Sequence, residues 1–268
     1  MSQHITEEEF TWLSRFLYDY TGIVLKNGKQ ALVVGRLDKR LRFLGMHTYT
    51  EYFRLIKQAE GAIERQMMVD LLTTNETYFF REPKHFEFIR SSILPLHPRH
   101  KTFRVWSAAS SSGEEAYTVA MILAETLVHG LWEIVGTDIS TRILEKATSG
   151  FYPMTAAEKI PLALLKKYCL KGKDAYEGFF RVNDSLRNRV DFKYVNLIET
   201  LPNLGRFDVI FLRNVMIYFD TSTKKQILSR IKDFLQPGGY FIISHSETLH
   251  SLNTELKLIT PSIYRRIV

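Results

Sequence analysis

The run FRVWSAASSSGEEAYTVAMILAETLV, residues 103–128, limits the architecture of this chain more than any other stretch. Phe103-Arg104-Val105-Trp106 is β-prone, the next seven residues are small, and Tyr117, Ala120, Met121, Ala124 and Val128 then recur at helical spacing. The pattern predicts strand, tight loop, helix. Such a unit turns the free N–H groups of a helix start toward a loop with few side chains, where a nucleotide-like ligand can approach. The loop holds a single glycine, Gly113, and Glu114 and Glu115 follow at once. A pyrophosphate cradle calls for more glycines and no acid, so a dinucleotide is disfavoured. Two carboxylates also suit the positive end of a helix dipole; the alternative is that one faces a cationic, amino-bearing ligand. A second strand, beginning at Trp132, leads to Asp138, where a carboxylate of such a fold grips ribose hydroxyls.

With 268 residues and 45% hydrophobic content, the chain can bury a sizeable core as one large domain or one plus a small one. It has no apolar run near 20 residues, and MSQHITEEEF is acidic and polar where a signal peptide is basic then apolar. A cytoplasmic protein without membrane insertion is expected. The lone Cys169 allows no internal disulfide, and the eight histidines show no HExxH spacing, so no metal is expected. A net charge of +7 permits an acidic partner without demanding one. Over residues 1–90 the charges nearly cancel, 13 Lys/Arg against 12 Asp/Glu, apart from a cluster at Arg36, Lys39, Arg40 and Arg42.

Residues 6–95 are helical by spacing. Phe10, Leu13, Phe16, Leu17 and Tyr20 form one stripe ending at Thr21-Gly22, and residues 32–44 and 49–59 carry two more. In GRLDKRLRFLG, Leu37, Leu41 and Leu44 face inward, leaving the four cations largely on other faces. Such a face is commonly just solvated; the alternative is a docking face for an acidic helix. The segment LLTTNETYFFREPKHFEF, residues 71–88, reads either as a helix cap at Asn75 followed by core aromatics or as a linker with a function.

After Asp138, residues 140–148 form a short helix, and helical spacing continues from Tyr152 to Leu170. Phe180 and Val182, then Val190, Phe192 and Tyr194, alternate on either side of Asn183-Asp184-Ser185, which predicts inserted antiparallel strands. The run FDVIFL, residues 207–212, suits a strand buried on both faces. Ligands of open α/β sheets lie beyond the carboxyl ends of the strands, which puts Asn196, Arg213 and Asn214 on one rim with Gly113 and Asp138. Residues 221–235 form a helix, and Pro237-Gly238-Gly239 turns it into Tyr240-Phe241-Ile242-Ile243-Ser244.

The single-glycine loop, the acid closing the second strand and the late Pro-Gly-Gly before a final hairpin resemble the class I S-adenosylmethionine methyltransferase fold, a Rossmann-like doubly wound α/β sheet. More narrowly, TTNETYFFRE, SxxxSSGEEAY, VNL and RNVMIYF resemble, in that order and spacing, the motifs of the CheR family of chemotaxis receptor methyltransferases. The resemblance runs over about residues 6–268. It implies a small N-terminal all-helical domain and linker over residues 1–90. A cofactor-binding methyltransferase domain would follow over 91–268, with an antiparallel β-subdomain inserted at about 171–195. It further implies methylation of glutamate side chains on the cytoplasmic helices of chemoreceptors, giving γ-glutamyl methyl esters, with S-adenosylmethionine as donor and S-adenosylhomocysteine as product. By motif match, Asn75, Thr77, Arg81, Gly113, Glu115, Asp138, Asn196, Leu197, Arg213 and Asn214 surround the cofactor. Glu115 would meet the methionine amino group and Asp138 the ribose, and Arg81 and Tyr218 are the candidates for catalysis. Arg36, Lys39, Arg40 and Arg42 would receive the acidic methylation helices. A receptor tether peptide gripped by the β insertion, as in some members, is a further possible partner, and a monomer with no nucleic-acid partner is expected. Ser110 and Ala116 stand where the family often has Cys or Ala and Pro; neither change removes a charge.

The chemistry asks little of a base. A glutamate with a pKa of about 4.3 is already an anion at neutral pH, so attack on a sulfonium methyl needs position more than proton transfer. Arg81 can steer the incoming carboxylate, while tight pairing would slow its attack. Two rival classes are a methyltransferase acting on nucleic acid or another protein, and a non-catalytic scaffold. RNVMIYF lacks the Asn/Asp-Pro-Pro-aromatic loop associated with methylation of base amino groups, and the intact acid, Arg and Tyr positions speak against lost activity.

Overall fold

Four α-helices build the first part of the chain: α1 (Glu7–Thr21), α2 (Gln30–Phe43), α3 (Tyr49–Lys57) and α4 (Ala62–Leu72). They belong to a computed structural model that describes residues 4–128, 130–252 and 254–267. Thr6 with Glu9 and Thr48 with Glu51 form capping boxes that start α1 and α3, and Gly22, in the left-handed conformation, closes α1. The apolar stripes meet in a core of their own, with Phe10, Leu13 and Leu17 packed near Val33, Leu37, Leu41, Tyr52 and Met68.

A short helix α5 (Pro83–Phe88) leads to β1 (Phe103–Ala108), α6 (Glu114–Thr126), β2 (Trp132–Asp138) and α7 (Thr141–Ser149). Then come β3 (Phe151–Pro153), α8 (Met154–Ala157), α9 (Leu162–Tyr168), β4 (Cys169–Lys171), β5 (Phe179–Val182), α10 (Asp184–Arg187) and β6 (Val190–Tyr194). The chain ends with β7 (Phe207–Leu212), α11 (Thr221–Ile231), β8 (Leu235–Ile242), β9 (Leu256–Thr260) and β10 (Ile263–Arg266). The large sheet has the order β6-β2-β1-β7-β8-β10-β9; the first five strands are parallel, and β10 runs antiparallel to both neighbours. Successive residues feed opposite faces: Val105 and Val209 enter the core under α6, whereas Trp106 and Ile210 enter the core that includes Ile227 of α11. The chain leaves β1 toward β2 on one side and has β7 on the other, so the sheet changes direction at β1. A ligand crevice belongs at that switch point.

The α/β expectation, with a helical N-terminal part and an inserted antiparallel sheet, is met, but four local readings need correction. Val190–Tyr194 is no part of the insertion expected at about 171–195. It pairs parallel with β2, Phe192 opposite Gly136, at the edge of the large sheet. Here Val190 and Phe192 pack against the core while Asp191 and Lys193 are exposed, so the strand has one solvated face and alternates as an antiparallel strand does. The Asn183-Asp184-Ser185 run begins α10 in place of a hairpin turn. The small sheet is β3-β5-β4, all antiparallel, so the ends of the stretch read as helical from Tyr152 to Leu170 are strands. Pro237-Gly238-Gly239 lies within β8 as an irregularity: Phe207 pairs with Leu235 but Val209 with Tyr240.

Candidate active site

The loop after β1 turns through left-handed residues. Ala109, Ser111 and Gly113 have φ of 64°, 51° and 92°, conformations that cost a non-glycine residue roughly 1–2 kcal/mol. Its hydrogen bonds hold it there. The Ser111 amide donates to Asp138 Oδ2 at 2.9 Å, the Ser140 amide to Asp138 Oδ1 at 3.0 Å, and Ser111 Oγ to the Asn75 carbonyl at 2.9 Å. Asp138 is buried; burial pushes its carboxyl pKa up, and the Ser140 and Ser111 amides only partly offset this. Gly113 closes the loop from behind. A Cβ there would stand 3.0 Å from Ala147 Cβ and Phe192 Cζ, so this glycine serves packing and does not line the cleft, unlike the other expected cofactor residues.

Glu115, on the first turn of α6, accepts from Ser107 Oγ at 2.6 Å and from Arg213 Nη1 at 2.8 Å. Arg213 follows β7 directly, its side chain 2% exposed, packed over the Phe86 and Phe211 rings. Its Nη2 donates to the Arg81 carbonyl and lies 3.5 Å from Glu82 Oε2. Glu82 also accepts from Ser244 Oγ at 2.9 Å and the His245 amide at 3.1 Å. Burial opposes its ionisation, yet the Arg213 guanidinium and these donors hold its pKa below the usual carboxylate value. Phe80 and Glu82 are both left-handed, with φ of 58°, so the turn that presents Arg81 is strained and pinned by Arg213, Ser244 and His245. Glu82, His85 and His245 bring ligand-type atoms within 4.8 Å of one another. The positive charge beside them comes from Arg213; burial first, and then that charge, drives the His85 pKa down to about 3.

Asn214, left-handed at φ 57°, donates from Nδ2 to Ser244 Oγ at 2.8 Å. Asn196, just past β6, donates from Nδ2 to the Tyr20 carbonyl and to Glu199 Oε1, at 2.8 and 2.9 Å. Arg81 donates from Nη1 to the Glu76 carbonyl at 2.8 Å and lies over the Tyr78 ring. The structure brings Asn75, Thr77, Arg81, Glu115, Asp138, Asn196, Leu197, Arg213, Asn214 and Tyr218 to one cleft of about 460 Å³. That size is ordinary for a small-molecule site, about 300–1,000 Å³.

The helical domain supplies the cleft's outer wall. Ile23 bridges to Phe219, the Val24 amide donates to the Tyr218 carbonyl at 2.8 Å, and Tyr18 Oη donates to Asp220 Oδ2 at 2.9 Å. Lys26 and Lys29, on the linker between α1 and α2, line the cleft as a result. Sequence reading passed them over, because only the docking of this linker on residues 218–219 reveals them. Of the basic cluster, Arg36 donates to the Leu72 and Thr73 carbonyls at 2.6 and 2.9 Å and closes α4. Arg40 makes a forked pair with Glu64, which also accepts from Tyr52 Oη. Arg42 pairs with Asp38 at 2.8 Å, and Lys39 is exposed.

A family model described as "CheR methyltransferase, SAM binding domain" matches residues 75–264, and one described as "CheR methyltransferase, all-alpha domain" matches residues 8–73. The chain belongs to the CheR methyltransferase family. Among curated relatives, a chemotaxis protein methyltransferase of Salmonella typhimurium is 39% identical over 265 residues, 97% of this chain and 90% of that one. Those of Escherichia coli and Borreliella burgdorferi are 39% and 37% identical, covering 97% and 98% of this chain and 91% and 95% of theirs. The cofactor of this CheR domain is S-adenosylmethionine, and the cleft suits it. Its floor carries the carboxylates of Glu115 and Asp138, of a charge suited to a cationic ligand, and Ser110 Oγ is buried there without a hydrogen-bond partner. Ile23, Leu72, Ile139, Leu197 and Val215 add apolar lining.

Proposed function

We propose that this CheR protein methylates glutamate side-chain carboxylates on the cytoplasmic helices of chemoreceptors, forming γ-glutamyl methyl esters in chemotactic adaptation. The reading is supported by the sharing of chemistry within the cleft. Among the described residues, its lining includes no histidine and no cysteine; Asp138 and Glu115 are engaged with Ser111, Ser140, Ser107 and Arg213. The remaining lining acid, Glu76, is exposed. A cleft so short of a free base favours an acceptor that arrives already ionised, and a carboxylate does at neutral pH.

Bound S-adenosylmethionine supplies an electrophilic methyl group on a sulfonium centre. The chain's own residues then position and desolvate. In this reading Glu115 would receive the methionine ammonium and Asp138 the ribose hydroxyls, each oxygen retaining lone-pair capacity beyond its present bonds. Arg81, on its pinned turn, orients the acceptor carboxylate without clamping it, since tight pairing would stabilise the ground state. Tyr218 hydrogen-bonds the acceptor or lines the methyl path. The helical domain, docked as the outer wall, shields the cleft from water, which strengthens each of these contacts. In this reading the protein acts in the cytoplasm as a monomer. Residues 1–90 form the receptor-facing helical domain and linker, and residues 91–268 form the catalytic domain. The β-subdomain is available to a receptor tether.

The deciding experiment is incubation with tritium-labelled methyl donor and receptor cytoplasmic fragments. Base-labile label, released as volatile methanol at high pH, is the expected result. Stable label, or label on RNA but not on receptor, would overturn the proposal.

A further inference from the structure

The cations around the cleft divide into two kinds. Arg213 is buried and paired with Glu115, and Arg81 donates to the Glu76 carbonyl and lies over the Tyr78 ring. Lys26 and Lys29 are exposed, line the same cleft, and their side chains make no hydrogen bond or ion pair among the described residues. Their place is nevertheless fixed. The Val24 amide is bonded to the Tyr218 carbonyl, Ile23 bridges to Phe219, and a Cβ on Gly22 would come within 2.7 Å of Ile198 and 2.9 Å of Thr223. Lys26 lies two residues beyond Val24, so its Cα stays within about 7 Å of that anchored residue. The linker therefore carries two unspent positive charges to the edge of the cleft beside Tyr218.

This edge is opposite in sign to the floor. The floor carries buried Asp138 and half-buried Glu115 against the one cation Arg213, which pairs with Glu115, so acid is in excess there, whereas Lys26, Lys29 and Arg81 at the rim outnumber the exposed Glu76. A cation held below and an anion arriving from above are both drawn the right way by that arrangement. The cluster on α2 that the sequence offers for the same task is largely committed, with Arg36 bonded to the end of α4 and Arg40 to Glu64.

We infer that Lys26 and Lys29 are specificity residues that recruit the acidic segment flanking the acceptor glutamate and steer it toward Tyr218. The inference rests on the carboxylate-acceptor reading above and locates where that substrate is selected. Lysines without partners suit this role, since a mobile ammonium attracts a passing carboxylate without the bidentate grip that would hold the attacking oxygens.

The test uses the full chain, the Lys26→Glu/Lys29→Glu and Lys26→Gln/Lys29→Gln variants, and two receptor cytoplasmic fragments, one native and one with the acids flanking the acceptor changed to glutamine. Charge reversal is expected to raise KM for the native fragment about tenfold at low ionic strength and to weaken its direct binding in proportion, the neutral pair falling between. The effect should fade near 1 M salt, where the Debye length is about 3 Å. It should also fade on the glutamine-flanked fragment, with kcat and affinity for S-adenosylhomocysteine unchanged. Unaltered KM and binding in the charge-reversed protein would overturn the inference, as would an equal loss of S-adenosylhomocysteine affinity, which would assign the lysines to the cofactor. If the wild-type protein labels neither fragment, the carboxylate reading itself falls and takes this one with it.

Discussion

Arg213 Nη1 stands 2.8 Å from Glu115 Oε2, with the arginine side chain 2% exposed. This buried pair joins the first turn of α6 to the Arg81–Glu82 turn, because the same guanidinium also reaches the Arg81 carbonyl and faces Glu82. Removing it leaves two carboxylates sharing one pocket without a counter-charge. Arg213→Ala is expected to lose about 3–5 kcal/mol of stability by urea denaturation and most affinity for S-adenosylhomocysteine. Arg213→Lys, which keeps the charge but not the planar fork, should recover only part of both. An alanine variant as stable as wild type would deny the pair any structural role.

Asp138→Ala is expected to abolish cofactor binding, read by calorimetry with S-adenosylhomocysteine. The aspartate accepts the Ser111 amide, which fixes the loop after β1, and the Ser140 amide, at the start of α7. Its loss therefore also leaves buried donors unpaired, at about 1–3 kcal/mol each. Unchanged S-adenosylhomocysteine affinity would remove Asp138 from the site.

How much of this was legible in the sequence depended on whether a residue's partners lie near it in the chain or its burial is two-sided. The strand Phe207–Leu212 could be read because both faces are covered and the run is apolar throughout. Val190–Tyr194 could not, because its edge position imposes an alternation shared by either strand direction. Asp138 and Glu115 could be placed, since the end of a strand and the start of a helix after a short loop are fixed by local geometry. The commitments of Arg36 and Arg40 could not, since their partners lie 36 and 24 positions away on α4. Lys26 and Lys29 were invisible for the same reason, their anchor being residues 218–219 at the far side of the chain.

His85 gives the protein a specific acid sensitivity. It is 1% exposed, and burial together with the Arg213 charge holds its pKa at about 3, far below the unfolded value of 6.5, although Glu82 acts the other way. A depressed histidine stays neutral when folded. Below 6.5 the unfolded chain therefore takes up a proton that the folded one does not, and stability falls toward about pH 3. The slope approaches about 1.4 kcal/mol per pH unit, and above 6.5 the contribution is flat. His85→Gln, whose amide can still reach Ser262 Oγ in place of Nε2, should flatten the dependence of the urea midpoint across this window. Identical pH profiles for the two proteins would be the contrary outcome.

Tyr218 touches the fold through its backbone, whose carbonyl holds Val24, while its hydroxyl has no hydrogen-bond partner among the described residues. Tyr218→Phe should consequently leave stability and S-adenosylhomocysteine affinity intact. Turnover on receptor should fall roughly 10- to 150-fold, the worth of one hydrogen bond to a charged group at about 1.5–3 kcal/mol. Full activity would leave the residue a packing role.

The cations of α2 should separate into two classes under mutation. Arg40, 22% exposed, neutralises a nearly buried Glu64 that also holds Tyr52. Its pair lies between the exposed and fully buried limits, so Arg40→Ala is expected to cost on the order of 2 kcal/mol. Receptor affinity per folded molecule should be unaffected. Lys39 and Arg42 face solvent, and the Arg42 pair with Asp38 lies within one turn of the same helix. Lys39→Glu should leave the unfolding midpoint nearly unchanged, whereas Arg42→Glu sets a second carboxylate beside buried Asp38 and should lower it. The double variant, compared per folded molecule, should weaken receptor binding in a salt-sensitive way, additively with changes at Lys26 and Lys29 if the two patches contact separate parts of the receptor. Unaltered receptor affinity in that double variant would confine recognition to the linker, because Arg36 and Arg40 are already spent inside the domain.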